Sequence, residues 1–470
     1  MSLRFLRNST FFFSPFLLGA AFWIDSLWFL AGFIFVPFFF GVEGLSRTKK
    51  LLASSFFILT SALVVAYPLF SFRSVQSSVL DWEKSALLMA IIVGWVLFLA
   101  SLAVLTLWTG VSFYPNPLIK ILILPLLWVA FEVVKTALSF NLQWIFIGEP
   151  LIEFPPLAVY VRLGGTYLLS FLVMVFNVSF YESIKYLLSD IKNKIRWIPL
   201  GVLGVLTSMF VGGGLFYTTD LPKSSKSLKV ALVQPGSFYG VSQEDYYSEV
   251  RKRTLVLAAK SSLKDIDLMV LPGNYSGPQR FNKFDRGAMA EVSAIASSSQ
   301  AYIMGFTLRA ADGNDYETHA LVTRDQNAQL SHKEILFPMS EYVPSIFKKI
   351  YSLPKGISHY AAGKNQVLSL SSGVKIGIIS CSEEFVPELA RRAKKSGADI
   401  LVITGSNDDF LSSTAFKETQ RAARFRALEN NVYVVQVLKN GISSVIDPYG
   451  KVLTSLGTNE VGILIYDIPL

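Results

Sequence analysis

The sequence predicts a polytopic α-helical membrane domain followed by one α/β domain, and three observations carry that expectation. Of 470 residues, 52% are hydrophobic and only 16% are charged, against roughly 25% charged in soluble proteins. The deficit sits at one end: between Thr10 and Tyr217 apolar segments follow one another with short polar breaks. From Ser224 onward charges return, together with short alternating runs. The expected boundary lies near residues 218–229, which gives a transmembrane domain over 1–220 and a soluble domain over 221–470.

A spanning helix needs about 20 apolar residues. Candidates fall at 10–24, 27–43, 51–71, 86–109, 117–139, 157–181 and 197–217. The first two are short, separated only by Asp25-Ser26, and read as a tight hairpin. Aromatic runs such as Phe11-Phe12-Phe13 and Phe38-Phe39-Phe40 are tolerated on lipid-facing and interfacial helices. Arg4 and Arg7 before an apolar stretch also fit a signal peptide, but further spans follow and no small-residue cleavage site is evident.

The net charge of +9 is a topology signal rather than a nucleic-acid footprint, because much of it lies in short loops. With a cytoplasmic N-terminus, the inner loops carry Arg4 and Arg7, then Arg47, Lys49 and Lys50, then Lys185, Lys192, Lys194 and Arg196. The outer loops carry chiefly Arg73 and Lys84. Seven spans then place the second half outside the cytoplasm.

Two polar features interrupt the membrane half. Glu132 and Lys135 fall in the fifth span, either as an intramembrane functional pair or as an i, i+3 ion pair seating the helix end. The stretch 141–156, with Gly148-Glu149-Pro150 and Pro155-Pro156, is too broken for a helix and too apolar for a free loop. A re-entrant or interfacial segment is expected there, since protein or a cavity must satisfy such backbone. That would suit a lipid portal.

From Leu228 the pattern alternates. Strands are expected at 229–234, 267–271, 301–307, 320–323, 374–380, 400–404, 432–437, 443–446 and 461–466, and helices at 244–262, 285–299, 386–396 and 415–430. Such alternation argues a layered α/β fold, and the continuous apolar runs argue strands covered on both faces. Catalytic groups in these folds lie where chain leaves a strand. Cys381 occupies that position, after Val374–Ser380 and before Ser382-Glu383-Glu384. As the sole cysteine it can form no intramolecular disulfide. It is read either as a nucleophile or as a buried inert thiol. A second cluster, Ser331-His332-Lys333-Glu334 followed by Phe337-Pro338-Met339-Ser340-Glu341-Tyr342-Val343-Pro344, offers a lysine. It is either a solvated cation or, folded toward Cys381, a holder of thiolate or oxyanion.

These two clusters and their order resemble the nitrilase superfamily, whose members use a Glu, a Lys and a Cys at three strand ends. Joined to a membrane half, they resemble the apolipoprotein N-acyltransferases, with Arg424–Asn430 and Gly441–Gly450 similar to two further signatures. Leu163-Gly164-Gly165 with Ser170-Phe171, and Trp128 with Glu132, are similar to that family's spans. The resemblance implies an αββα nitrilase-like (carbon-nitrogen hydrolase) domain on the periplasmic side of a bacterial inner membrane. It also implies a phospholipid acyl donor and a diacylglyceryl-modified lipoprotein as acceptor, with no cofactor, metal or nucleic acid. By the same resemblance Cys381 attacks the ester, Lys333 steadies the oxyanion, Glu341 holds the lysine and relays protons, and Glu383 neighbours the nucleophile.

The sequence departs from the family pattern where the first catalytic Glu is expected: Leu271-Pro272-Gly273 places there a residue unable to accept a proton, and Asn274 cannot either. Ser382, Thr419 and Lys439 stand where a tyrosine, a histidine and an asparagine are expected, and no eighth span follows. An unassisted thiol of pKa about 8.5 is only a few per cent ionised at neutral pH. The expectation is therefore an acyltransferase with Glu341 or Glu383 as substitute base. The alternative is a catalytically impaired relative that binds lipid or lipoprotein. A membrane-tethered amidase, needing the same Glu, ranks third.

Overall fold

A computed structural model describes residues 10–66, 82–114, 116–188, 197–216, 226–236, 243–259, 265–273, 280–281, 299–325, 327–353, 359–406 and 413–470. Two compact units divide the chain, one of Met1–Phe70 with Ala90–Thr219 and the other of Ser71–Met89 with Asp220–Leu470. The sequence-predicted boundary residues 218–225, Asn274 and all but the last residue of the helix predicted at 285–299 fall outside the described residues; Ser299 begins a strand.

In the N-terminal half, five helical stretches among the described residues are long and apolar enough to cross a membrane: Asp25–Val42, Arg47–Val65, Ala86–Phe113, Pro117–Leu138 and Val161–Leu187. Phe11–Trp23 and Trp197–Gly213 are shorter apolar stretches, so five rather than seven of the predicted spans meet that length. The helix Pro117–Leu138 shows how the bundle sorts its surfaces. Ile121, Leu124, Trp128, Glu132 and Thr136 are buried, while Leu122, Leu126 and Val133 are exposed, the helical period expected when one face packs and the other meets lipid. Lys120 pairs with the buried Glu182 at 2.7 Å, tying this helix to Val161–Leu187.

At two backbone breaks among the described residues of this apolar unit, buried polar side chains satisfy the backbone. Between Phe33 and Val36 the chain changes from 3-10 to α geometry. There Asn177 accepts from Phe35 N–H at 2.8 Å and donates to the carbonyl oxygen of Ala31 at 2.9 Å. The second break is the predicted re-entrant stretch. Lys135 Nζ donates to the carbonyls of Trp144 and Ile145, each at 2.8 Å, and Glu132 Oε1 accepts from Ile147 N–H at 3.2 Å. Ser170 Oγ accepts from Gly148 N–H at 3.2 Å. Gly148 is required there: a Cβ would lie 2.5 Å from the Ser170 nitrogen. Glu132 and Lys135 thus make hydrogen bonds to the broken segment, a role set by the need to satisfy backbone in an apolar surround.

The second unit is built on two sheets. One contains β1 (Ser227–Gln234), β2 (Ile266–Val270), β3 (Arg280–Phe281), β4 (Ser299–Arg309), β5 (Asp315–Thr323), β6 (Ala328–His332) and, at its edge, β13 (Gly462–Pro469). Its order is β13-β1-β2-β4-β5-β6, with β3 on β4. The other contains β7 (Val367–Ser369), β8 (Lys375–Ser380), β9 (Ile400–Gly405), β10 (Tyr433–Leu438), β11 (Ser443–Ile446) and β12 (Val452–Leu456), in order β12-β11-β10-β9-β8-β7. The centres, β1-β2-β4 and β8-β9-β10, are parallel, and antiparallel strands close the sheets.

Alternation sorts the layers. Leu228, Val230 and Leu232 of β1 meet Ile376 and Ile378 of β8, Ile400 and Val402 of β9, and Val435 and Val437 of β10 in the core between the sheets. Ala231 and Val233 face the other way, onto Leu257 and Ala258 of the helix Gln243–Ala258. On the second sheet, Gly377 lets the helix Pro387–Lys395 approach closely: a Cβ would lie 2.7 Å from that of Ala393. The helix Ser413–Asn430 lies on the same face, where the carbonyl of Thr419 accepts from Gln436 Nε2. Helix, sheet, sheet and helix make the αββα sandwich. Strands β3, β6, β7 and β12 were not predicted, and β5 begins at Asp315 rather than 320, a difference that matters at the site.

Candidate active site

Three strands of the second unit end close together. Cys381 follows β8 directly and opens a short 3-10 turn, Cys381–Phe385, in a left-handed conformation with φ +48°. A non-glycine residue held this way costs roughly 1–3 kcal/mol and is kept only where its surroundings demand it. Ser380 and Glu383 supply that demand as a reciprocal cap: Ser380 Oγ accepts from the Glu383 N–H, and Glu383 Oε2 accepts from the Ser380 N–H at 2.9 Å. The other oxygen of Glu383 accepts from the backbone N–H groups of Glu334 and Ile335, at 2.8 and 3.0 Å. Glu383 therefore ties the cysteine turn to the loop that carries Lys333.

Lys333 leaves β6 and its side chain is fully buried. Its Nζ lies 2.5 Å from Glu341 Oε1 and 3.3 Å from Glu317 Oε2. Glu341 Oε2 accepts from Phe337 N–H at 2.8 Å, folding the Pro338–Tyr342 loop back on the lysine. Glu317 Oε1 accepts from the Ser380 hydroxyl at 2.6 Å. Two residues along β5, His319 Nε2 meets Thr404 Oγ1 at 2.6 Å.

The position of the expected general base is also defined. A Cβ on Gly273 would lie 3.1 Å from Gly405 Cα and 3.2 Å from Thr404 Oγ1, and a Cβ on Gly405 would lie 3.2 Å from Cys381 Cα. The ends of β2, β9 and β8 thus stack backbone on backbone at the nucleophile. Of the residues singled out from the sequence, Cys381, Lys333, Glu341, Glu383 and Gly273 come together here. Glu317 and His319 were missed. Their only local signal is an alternating polar pair, Glu317 and His319 on one face of a strand, in a stretch not recognised as strand.

Electrostatics follow from burial around a single cation. Burial lowers and the carboxylates of Glu317 and Glu341 raise the pKa of Lys333, leaving it well above the ordinary lysine value. Burial works against the Glu317 carboxylate as well, but Lys333 and His319 outweigh it and its pKa is lowered. Glu341 has no cation to itself, so burial raises its pKa to about 7. Burial holds His319 neutral, at about 4. The Cys381 thiol is pushed up to about 12, by burial first, with Lys333 opposing and Glu317 and Glu341 reinforcing. At neutral pH about one such thiol in 10⁵ is ionised without help, so proton removal is the chemical problem of this site.

A buried lysine held by carboxylates, beside a strained cysteine at a strand end of an αββα sandwich, is an arrangement for nucleophilic chemistry on a carbonyl. The family described as "Carbon-nitrogen hydrolase" matches residues 229–470. The chain belongs to that family. Residues 14–179 match the "Apolipoprotein N-acyltransferase N-terminal domain", so both halves of the apolipoprotein N-acyltransferase architecture are present. Curated relatives bearing that name agree. The protein from Rickettsia typhi is 26% identical over 365 residues, covering 74% of this chain and 70% of the relative. That from Aquifex aeolicus is 25% identical, covering 73% and 74%. Among solved structures, Saccharomyces cerevisiae Nit3, a member of branch 10 of the nitrilase superfamily, is 20% identical with a TM-score of 0.41, over 53% of this chain and 93% of that one.

Proposed function

We propose that this bacterial membrane protein transfers an acyl chain from a phospholipid to the N-terminal amine of a diacylglyceryl-modified lipoprotein, through a thioester on Cys381. The observation that carries the reading is the buried Lys333 ammonium, held between Glu317 and Glu341 and tied to the cysteine turn by Glu383. Lys333 steadies the oxyanion formed when sulfur attacks the ester carbonyl, Glu341 orients Lys333 and shares its proton, and Glu383 sets the turn. The lysophospholipid leaves, and the lipoprotein amine resolves the thioester. Loop charges favour a bacterial inner membrane topology with the catalytic domain on the periplasmic side.

The test is a purified preparation in detergent, supplied with a phospholipid carrying a labelled acyl chain. A hydroxylamine-sensitive label on Cys381, absent from Cys381→Ala, is expected. No adduct, under conditions where an Aquifex aeolicus relative labels fully, would sink the reading. Gly273 favours a second one, a catalytically impaired relative that binds lipid or lipoprotein. Gly273→Glu separates the two: labelling that appears only in the variant supports impairment, whereas comparable wild-type labelling supports an active enzyme. The added Cβ must displace Gly405 backbone by a few tenths of an ångström, so the variant is compared at 20–30 °C, well below its own unfolding midpoint.

A further inference from the structure

Acyl transfer as proposed above needs the Cys381 sulfur and the Lys333 ammonium in a fixed relation, yet the two residues follow different strands in different sheets. The hydrogen bonds that join them form a closed circuit. Glu317 and Lys333 are cross-strand neighbours: the Lys333 N–H donates to the Glu317 carbonyl at 2.9 Å, one step beyond the paired Thr318 and His332. Lys333 Nζ also meets Glu317 Oε2 at 3.3 Å. The other oxygen, Oε1, accepts from the Ser380 hydroxyl at 2.6 Å. That hydroxyl gives its single proton to Glu317 and accepts from the Glu383 N–H. Glu383 Oε1 closes the circuit by accepting from Glu334 and Ile335, the two residues after Lys333.

The links in this circuit restrain different things. Glu383 fastens the cysteine turn to the backbone beside Lys333 but not to the ammonium, which sits at the end of a flexible four-carbon stem. Glu341 holds the ammonium at 2.5 Å, and its second oxygen goes to the Phe337 N–H in the lysine's own loop. Glu317 takes the ammonium with one oxygen and, with the other, the residue before the nucleophile.

We infer that Glu317 is a positioning residue: by bridging the Lys333 ammonium to the Ser380 hydroxyl, it fixes where the cation stands relative to the Cys381 turn; this rests on the acyl-transfer reading above. The turn needs such a restraint, because a cysteine at φ +48° relaxes unless its surroundings hold it. A carboxylate suits the bridge because it accepts on both oxygens. A glutamine in its place has one accepting oxygen and one donating nitrogen, and that nitrogen would face either the ammonium or a hydroxyl proton. Both Glu317 and Ser380 act through other groups, and a displacement of about 1 Å in such a site costs about 10²-fold in rate.

The test is a double-mutant cycle of Glu317→Gln and Ser380→Ala on the full chain in phosphatidylethanolamine and phosphatidylglycerol vesicles, and both its readouts report on Cys381, the sole cysteine. The first is acylation by a phospholipid with a fluorescent acyl chain, followed as burst amplitude, rate constant at saturating donor and half-saturating concentration. Each single variant is expected to lower the rate constant about 10²-fold while leaving amplitude and half-saturating concentration within about twofold of wild type. The double variant should be no more than about threefold slower than the slower single one, because both changes cut the same bridge. The second readout is alkylation by iodoacetamide at about pH 9, which reports how firmly the turn is held. Removing the Ser380 hydroxyl should speed alkylation at least about fivefold more in the wild-type background than in Glu317→Gln, a comparison in which the effect of the lost charge cancels. A single variant that acylates within about threefold of wild type, or losses that multiply in the double variant, overturns the inference. Lost amplitude at an unchanged rate constant overturns it as well, since that is the mark of a merely structural role. A wild type that forms no adduct overturns the acyl-transfer reading instead, and the alkylation cycle then decides alone: an equal effect of Ser380→Ala in both backgrounds would show that Glu317 does not restrain the turn.

Discussion

Lys333 brings one positive charge to a buried site with several carboxylates, and that imbalance determines how the site titrates. Removing one partner from such a group leaves an uncompensated charge, at a cost of about 3–5 kcal/mol. Lys333→Ala is therefore expected to lower the unfolding midpoint clearly, by calorimetry in detergent, as well as to abolish the Cys381 adduct. The pH dependence has two opposed parts. Glu341 has a folded-state pKa of about 7 against an ordinary 4.5, so its contribution to stability is complete below about pH 4.5 and is lost as pH rises through 7. His319, at about 4 against 6.5, contributes fully above about pH 6.5 and loses that contribution as pH falls toward 4. Glu341→Gln should flatten the loss on the alkaline side and His319→Gln the loss on the acid side, read from unfolding midpoints between pH 4 and 8. Cys381 and Lys333 could be picked out from sequence because each closes a local pattern, an apolar run or a strand before a Pro-broken loop. Glu317 could not, since its meaning depends on Ser380, which is 63 residues away along the chain.

At the scale of elements, two breaks in the membrane unit are places where buried side chains complete the backbone. Asn177 does this for the Ala31–Phe35 break, and Lys135, Glu132 and Ser170 do it for the stretch 144–148. Each backbone group deprived of its partner costs about 1–3 kcal/mol. Asn177→Leu and Lys135→Met are accordingly expected to lower the thermal midpoint in detergent while sparing the unfolding of the second unit, whose two-sheet core is built separately. A result in which neither variant moves the midpoint would return Glu132 and Lys135 to the functional reading. Hydropathy located the second break, because Gly148, Pro150, Pro155 and Pro156 interrupt an apolar run, whereas the Ala31–Phe35 break fell inside the predicted span 27–43. It could not say which side chains repair them. In the soluble half, strands with continuous apolar runs such as β9 and β10 were legible to within a residue or two. The first residues of β5 were not, because Tyr316-Glu317-Thr318-His319 carries too little apolar signal to mark a strand before its partners β4 and β6 are in place.

For the molecule as a whole, the side of the membrane that holds the second unit depends on the last apolar helix. That helix is Trp197–Phe216, whose apolar stretch Trp197–Gly213 is shorter than the five long ones, so whether it crosses is settled by labelling. A Cys381→Ser background has no other thiol, so single cysteines report topology cleanly. In spheroplasts, Lys451→Cys should react with a membrane-impermeant maleimide, and Lys49→Cys should react only after permeabilisation; the reverse pattern would place the second unit in the cytoplasm. The amino-acid sequence by itself determined the division into an apolar half and an α/β half, the order of most strands, and the cysteine and lysine at strand ends, because each is written in short-range periodicity. Only the tertiary structure decided that Glu383 is a tie between two loops, that Glu132 and Lys135 bond to a broken backbone segment, and that Glu317 joins Lys333 to Ser380. Those roles are contacts between segments far apart in sequence, made by hydrogen bonds and charges that a folded interior must satisfy and an extended chain leaves to water.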